Sequence, residues 1–124
     1  MANKIMIIDD EVAMCRILKQ MLEGEGYEVH TSTDAQSALE AVKSDSFNLV
    51  MTDVSMPNLS GIEILSELKK EKPALPVIFV TAQDINDVLK EALQLGLDGF
   101  IEKPFNLQAL LEIVRDKIAP HSNN

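Results

Sequence analysis

The chain has one cysteine, no tryptophan, few aromatic residues (4%) and far fewer basic than acidic side chains. Each shortage excludes something. A single cysteine cannot form an internal disulfide, and Cys15, set among apolar residues, reads as a small buried thiol. Eleven Lys and Arg against twenty Asp and Glu leave a formal charge of -9. That argues against direct contact with DNA or RNA, which rests on neutralising phosphates with basic residues. No apolar run approaches the roughly 18 residues of a membrane span, and the first residues do not read as a cationic, apolar leader. A cytoplasmic location without membrane contact is therefore expected. What remains is ordinary for a globular protein: 46% hydrophobic and 25% charged residues in 124. That length is enough for one domain, 1–124, with a real core.

Short apolar runs alternate with helical patterns. Residues 4–8 read as a strand, and Glu11 to about Glu23 as a helix ending at Gly24 and Gly26. Residues 28–31 form a weaker, more polar strand. A helix follows over about 35–43, with Ala35, Ala38, Leu39 and Val42 on one face. Residues 48–52 read as the third strand. Ser60-Gly61-Ile62-Glu63 fits a capping box that opens a helix through about Lys70, with Lys69, Lys70 and Lys72 suited to the negative end of its dipole. Pro73 and Pro76 bracket the turn into a strand at 77–80. A fourth helix, capped by Asp84 or a neighbour, stops at Gly96. After a strand at 99–102, Asn106 can cap a helix whose Leu107, Leu110, Leu111, Val114 and Ile118 face the core. The core spans about 3–119, and 120–124 reads as a loose tail.

Five β-α units without linker or repeat need right-handed crossovers, which gives a parallel sheet covered on both faces. The hydrophobic first, third and fourth strands suit central positions, and the polar second suits an edge. The expected fold is α/β, a flavodoxin-like (βα)5 doubly wound parallel sheet of strand order 2-1-3-4-5. Ligands of such sheets gather at the carboxyl ends of the strands. In this chain those ends carry Asp9-Asp10, Asp53, Thr81-Ala82 and Lys103-Pro104.

Aspartates that merely cap the helices after their strands would need no further explanation. Acids ending two adjacent central strands are a different matter, because three carboxylates within a few ångströms repel one another. A hard cation such as Mg²⁺ (or Mn²⁺), which takes oxygen ligands and keeps several waters, resolves that conflict and leaves room for a phosphate oxygen. An aspartate is ionised at neutral pH and can attack a phosphoryl donor without a general base. Transfer then depends on neutralising the phosphoryl oxygens, for which Lys103 offers an ammonium and Thr81 a hydroxyl.

With these residues in place, the chain resembles a response-regulator receiver domain of two-component signalling. The marks are Asp9-Asp10, Asp53 followed by Met56-Pro57 and Gly61, Thr81-Ala82, and Lys103-Pro104-Phe105. The resemblance covers about residues 3–119. It implies Asp53 as phosphoacceptor, and Asp9, Asp10, Asp53 and the backbone carbonyl of Ser55 as metal ligands. It further implies Thr81 and Lys103 on the phosphoryl oxygens, Phe100 as a switch aromatic, and a cis Lys103-Pro104 bond. Ser55 and Gln83 match positions that tune the loss of phosphate. The resemblance implies a phosphoacceptor that catalyses only its own phosphorylation and dephosphorylation. Its donor would be a sensor histidine kinase or histidine phosphotransfer protein. Its target would be a protein that reads the surface of the fourth helix, fifth strand and fifth helix, where Asp87, Lys90, Glu91 and Gln94 are expected beside Gln108, Glu112 and Arg115. A phosphorylation-dependent homodimer is a further option.

Two readings of another class compete. A flavodoxin-like cofactor binder would need a Gly-, Ser- or Thr-rich loop after the first strand, where this chain has Asp9-Asp10-Glu11. An aspartate-nucleophile phosphatase usually places a second carboxylate two residues after the nucleophile, and that position is Ser55. Within the family, a stand-alone receiver and a receiver cut from a longer regulator or hybrid kinase stay open. His30 and His121 have no acidic or cysteine partners at metal-ligand spacing and read as surface residues.

Overall fold

The computed structural model describes residues 2–82 and 84–122, with the backbone alone for 119–122. In chain order the elements are β1 (Lys4–Ile8), α1 (Val12–Glu23), β2 (Glu28–Ser32), α2 (Ala35–Ser44) and β3 (Leu49–Thr52), then α3 (Gly61–Glu71), β4 (Val77–Thr81), α4 (Asn86–Gln94), β5 (Gly99–Glu102) and α5 (Leu107–Ser122). The five strands form one parallel sheet in the order β2-β1-β3-β4-β5, as expected.

Strand side chains alternate between the two faces, so the central strands β1, β3 and β4 each feed two separate cores. On one side Ile5, Ile7, Leu49, Met51 and Ile78 pack against Leu18 and Leu22 of α1 and Leu110 and Val114 of α5. On the other, Met6, Ile8, Val50, Val77 and Phe79 meet Leu39 of α2, Ile64, Leu65 and Leu68 of α3, and Ala92 of α4. Each such large side chain contributes about 1.5–3 kcal/mol by leaving water. Every residue of β3 and β4 is buried, whereas the edge strands β2 and β5 keep exposed positions. No helix among the described residues is long and apolar enough to cross a membrane.

Local chemistry sets the helix starts. The α3 capping box forms as expected: Glu63 N–H donates to Ser60 Oγ at 3.2 Å, and Ser60 N–H to Glu63 Oε1 at 3.1 Å. Asn106 Oδ1 accepts from Ala109 N–H at 2.8 Å at the start of α5. Asp34, which the sequence reading passed over, caps α2 through Ser37 N–H at 2.8 Å. Before α4 the cap position falls to Ile85, which has no side-chain cap; Asp84 Oδ1 instead accepts from Asn86 N–H at 2.9 Å. The fifth helix runs on to Ser122, past Pro120. A proline near a helix end forfeits a single ladder bond, so helical backbone can continue beyond it.

Candidate functional site

Sheet register brings the chemistry together. Ile8 lies opposite Thr52, so Asp9-Asp10 and Asp53 leave neighbouring strands side by side. Asp9 is 1% exposed. Its backbone N–H donates to Ser32 carbonyl oxygen at 3.1 Å, and its Oδ1 accepts from Glu11 N–H at 2.9 Å. Asp10 points to solvent, and Asp53 is half-buried. Asp53 is fixed by its N–H to Ile8 carbonyl oxygen at 2.9 Å and by Oδ1, which accepts from Ser55 N–H at 3.3 Å. One carboxylate oxygen from each of Asp9, Asp10 and Asp53 lies within 4.8 Å of the others. An all-oxygen, all-anionic donor set at this spacing suits a hard divalent cation.

Lys103 follows β5, two strands along the sheet from β3. Its Nζ stands 2.9 Å from Asp9 Oδ2, 3.5 Å from Asp53 Oδ2 and 3.8 Å from Glu11 Oε1. Burial works to lower the Lys103 pKa, but the hydrogen bond to Asp9 and the charges of Asp53 and Asp9 outweigh it and hold it above the ordinary 10.5. Lys103 N–H donates to Thr81 carbonyl oxygen at 2.8 Å, and the Lys103-Pro104 bond is cis, as the resemblance implied. Thr81 itself is fully buried at the end of β4. Glu11 was not expected at the site; its place directly after an acidic pair was the available signal.

The loop after Asp53 returns at Gly61 for a steric reason. Gly61 N–H donates to Val54 carbonyl oxygen at 2.6 Å. A Cβ on Gly61 would lie 2.7 Å from Val54 Cα and 3.0 Å from Asp53 carbonyl oxygen. Only glycine lets the first turn of α3 press against the strand end that carries Asp53.

Phe100 is 39% exposed on the outer edge of β5. Beside it lies a space of about 420 Å³ bounded by Ala82, Asp84, Ile85, Asn86 and Glu102. The expected signalling face needs two corrections. Glu91 lines a groove between α4, α3 and α2 instead, because its side of α4 turns toward those helices. Arg115 reaches across to Glu25 after α1, at 2.9 Å, drawn there by the opposite charge. Gln83 lies outside the described residues. Cys15 is buried, and its thiol donates to Asp9 carbonyl oxygen at 3.3 Å. Burial, then the Asp9 charge, push that thiol above its ordinary 9.0. His30 is exposed, but it pairs with Glu28 at 2.7 Å and stacks edgewise on Phe47.

Comparison with known proteins agrees with this geometry. Residues 5–115 match the family described as the response regulator receiver domain. Among curated relatives, the transcriptional regulatory protein ZraR of Escherichia coli is 40% identical over 111 residues, covering 87% of this chain and 25% of that protein. The CpxR homolog of Haemophilus influenzae is 38% identical over 127 residues, covering 98% of this chain and 54% of the relative. The chain thus spans between a quarter and about half of these proteins. Among solved structures, a CheY-like receiver domain protein from Methanospirillum hungatei superposes with a TM-score of 0.93 at 33% identity, covering 97% of this chain and 96% of that one. A receiver domain protein from Clostridium thermocellum gives 0.91 at 33% identity, with 96% of each chain covered.

Proposed function

The chain belongs to the response-regulator receiver family, and on that footing we propose that Asp53 accepts a phosphoryl group from a phosphohistidine on a sensor histidine kinase or a histidine phosphotransfer protein. The observation that carries the assignment is the lysine ammonium held between the carboxylates of Asp9 and Asp53, at 2.9 and 3.5 Å. An Asp53 carboxylate oxygen attacks phosphorus. The phosphorus–nitrogen bond breaks, its electron pair leaves with the imidazole, and an aspartyl phosphate remains. Lys103 moves its charge onto one phosphoryl oxygen, and the Thr81 hydroxyl donates to another.

Asp9, Asp10, Asp53 and the Ser55 carbonyl would hold Mg²⁺ (or Mn²⁺), which when bound offsets the charge of the phosphoryl oxygens. The rest of the work belongs to the chain. Burial of Asp9 and the bond from Glu11 N–H fix one wall of the site, and Gly61 fixes the other.

Family members are phosphoacceptors rather than enzymes acting on a separate substrate. The added phosphoryl group brings roughly -1.5 to -2 charges. Thr81, drawn toward it, would free space for Phe100 to turn inward and reshape the α4-β5-α5 surface for a protein target or a second copy. The space beside Phe100 supports this reading. The setting is the cytoplasm, where the kinase domains of such systems work.

The test is intact mass after incubation with acetyl phosphate and Mg²⁺, for the wild type, Asp53→Asn and an EDTA control. A metal-dependent gain of one phosphoryl group, lost in the variant, is expected. No gain in the wild type, together with no binding of beryllofluoride, would reduce the chain to a receiver-shaped binding module.

A further inference from the structure

A second concave surface lies away from the acidic cluster. Between α2, α3 and α4 runs an open groove of about 440 Å³. Its floor is apolar, made by Leu39, Leu59, Ile62 and Leu95, with Ser66 midway along α3. Its rim is acidic. Glu63, Glu67 and Glu91 stand there against a single lining cation, Lys43.

Lys43 sits 3.6 Å from Glu67, and Lys70 adds a second contact to the same residue at 3.8 Å. Among the described residues neither Glu63, held only by the capping box in the first turn of α3, nor Glu91, exposed on α4, has an ion-pair partner.

We propose that this groove docks a short amphipathic helix of a protein partner, with apolar residues on one face and Lys or Arg flanking them. An apolar trough between helices takes a helix through anchors spaced i, i+3, i+4 and i+7. The acidic rim selects cationic flanks and rejects anionic ones. A second copy of this chain is disfavoured, because it brings the same acidic rim and a net charge of -9. An anionic lipid surface is repelled for the same reason. None of the groove's lining residues belongs to the acidic cluster, so the proposal does not require Asp53 to accept a phosphoryl group.

The test uses a synthetic helical peptide with leucines at i, i+3, i+4 and i+7 and lysines on its flanks. Two controls accompany it, one with the lysines changed to glutamates and one with the leucines changed to serines. Backbone amide shifts of the full chain are followed by NMR with Mg²⁺ present. The expected result is saturable binding, with shifts centred on Leu39, Leu59, Ile62 and Glu91, and none from either control. Glu63→Gln, which keeps a capping-box residue, combined with Glu91→Lys should weaken binding about five- to tenfold. Ser66→Trp, which fills the trough, should abolish it while the remaining spectrum stays folded.

Four results would overturn the proposal: shifts centred on Phe100, shifts centred on Asp9, Asp10 and Asp53, equal binding of the serine control, or the same shifts from raising protein concentration alone.

Discussion

The Lys103 ammonium lies closer to Asp9 than to Asp53, at 2.9 Å against 3.5 Å. Its main partner is thus the buried carboxylate that follows β1, while Asp53 is less buried. Lysine and a divalent cation share the task of offsetting the same negative charge, which makes the lysine's removal informative.

Lys103→Met leaves two facing carboxylates without their nearest cation. We expect a loss of about 2 kcal/mol in EDTA, less than for a fully buried pair because the site opens to solvent. Added Mg²⁺ should return part of it, and labelling by acetyl phosphate should fall at least about tenfold, as for loss of a charged group that stabilises a transition state. Urea unfolding with and without Mg²⁺, beside intact-mass labelling, measures both. In the wild type, the folded pKa of Lys103 is raised, so its contribution is complete below the ordinary 10.5 and is lost as pH climbs through the higher folded value.

Gly61→Ala places a methyl 2.7 Å from Val54 Cα and 3.0 Å from Asp53 carbonyl oxygen, both backbone atoms that yield only if the strand end moves. A destabilisation of about 1–3 kcal/mol is expected from such overpacking. Phosphoryl uptake should slow with it, since the displaced segment carries Asp53. Denaturant midpoints and labelling rates check the two effects together.

Acid should act through the α2 cap. The Asp34 carboxyl is held below its ordinary 3.8 by hydrogen bonds from the Ser37 hydroxyl and Ser37 N–H. Its contribution is present above that value and is lost as pH falls through the lower folded one. Asp34→Asn should flatten part of the acid limb of the melting temperature against pH, with little change near neutrality because asparagine also caps.

Cys15 should resist alkylation. Its thiol is 5% exposed, and its pKa is pushed above 9.0 by burial and by the Asp9 charge. Iodoacetamide at pH 8 should modify the native chain at least about tenfold more slowly than the chain in urea, because only the thiolate reacts. Mass spectrometry over time follows both rates.

Much of this was legible in sequence because the signals are local. Strand ends, the Ser60–Glu63 box and the Asn106 cap are written in adjacent residues, and the wholly apolar strands mark the centre of the sheet, with the full order taken from known doubly wound folds. What escaped was set by distant contacts. The cation that pairs with the buried Asp9 is not readable nearby, since it is Lys103, ninety-four residues away. Lys69 and Lys72 were placed on the α3 dipole. In the fold Lys69 reaches Leu75 carbonyl oxygen and Asp98, and Lys72 reaches Val42 carbonyl oxygen. Asp98, which also accepts from Val77 N–H at 2.8 Å, carried no local signal. Glu91 and Arg115 went to the wrong faces because helical spacing gives an angle around an axis but not the neighbour on that side.

The strand order also bears on how the chain leaves a ribosome. Once β1 and β2 have paired, each later strand arrives on the same flank: β3 beside β1, β4 beside β3, β5 beside β4. Opposite the constant outer edge of β2, a nascent chain therefore offers one advancing edge, and that edge passes through the two wholly buried strands, β3 and β4. Until the next strand pairs, that bare edge can recruit another chain. The arrival of β5 replaces that apolar edge with a strand whose Phe100 and Glu102 are exposed to water.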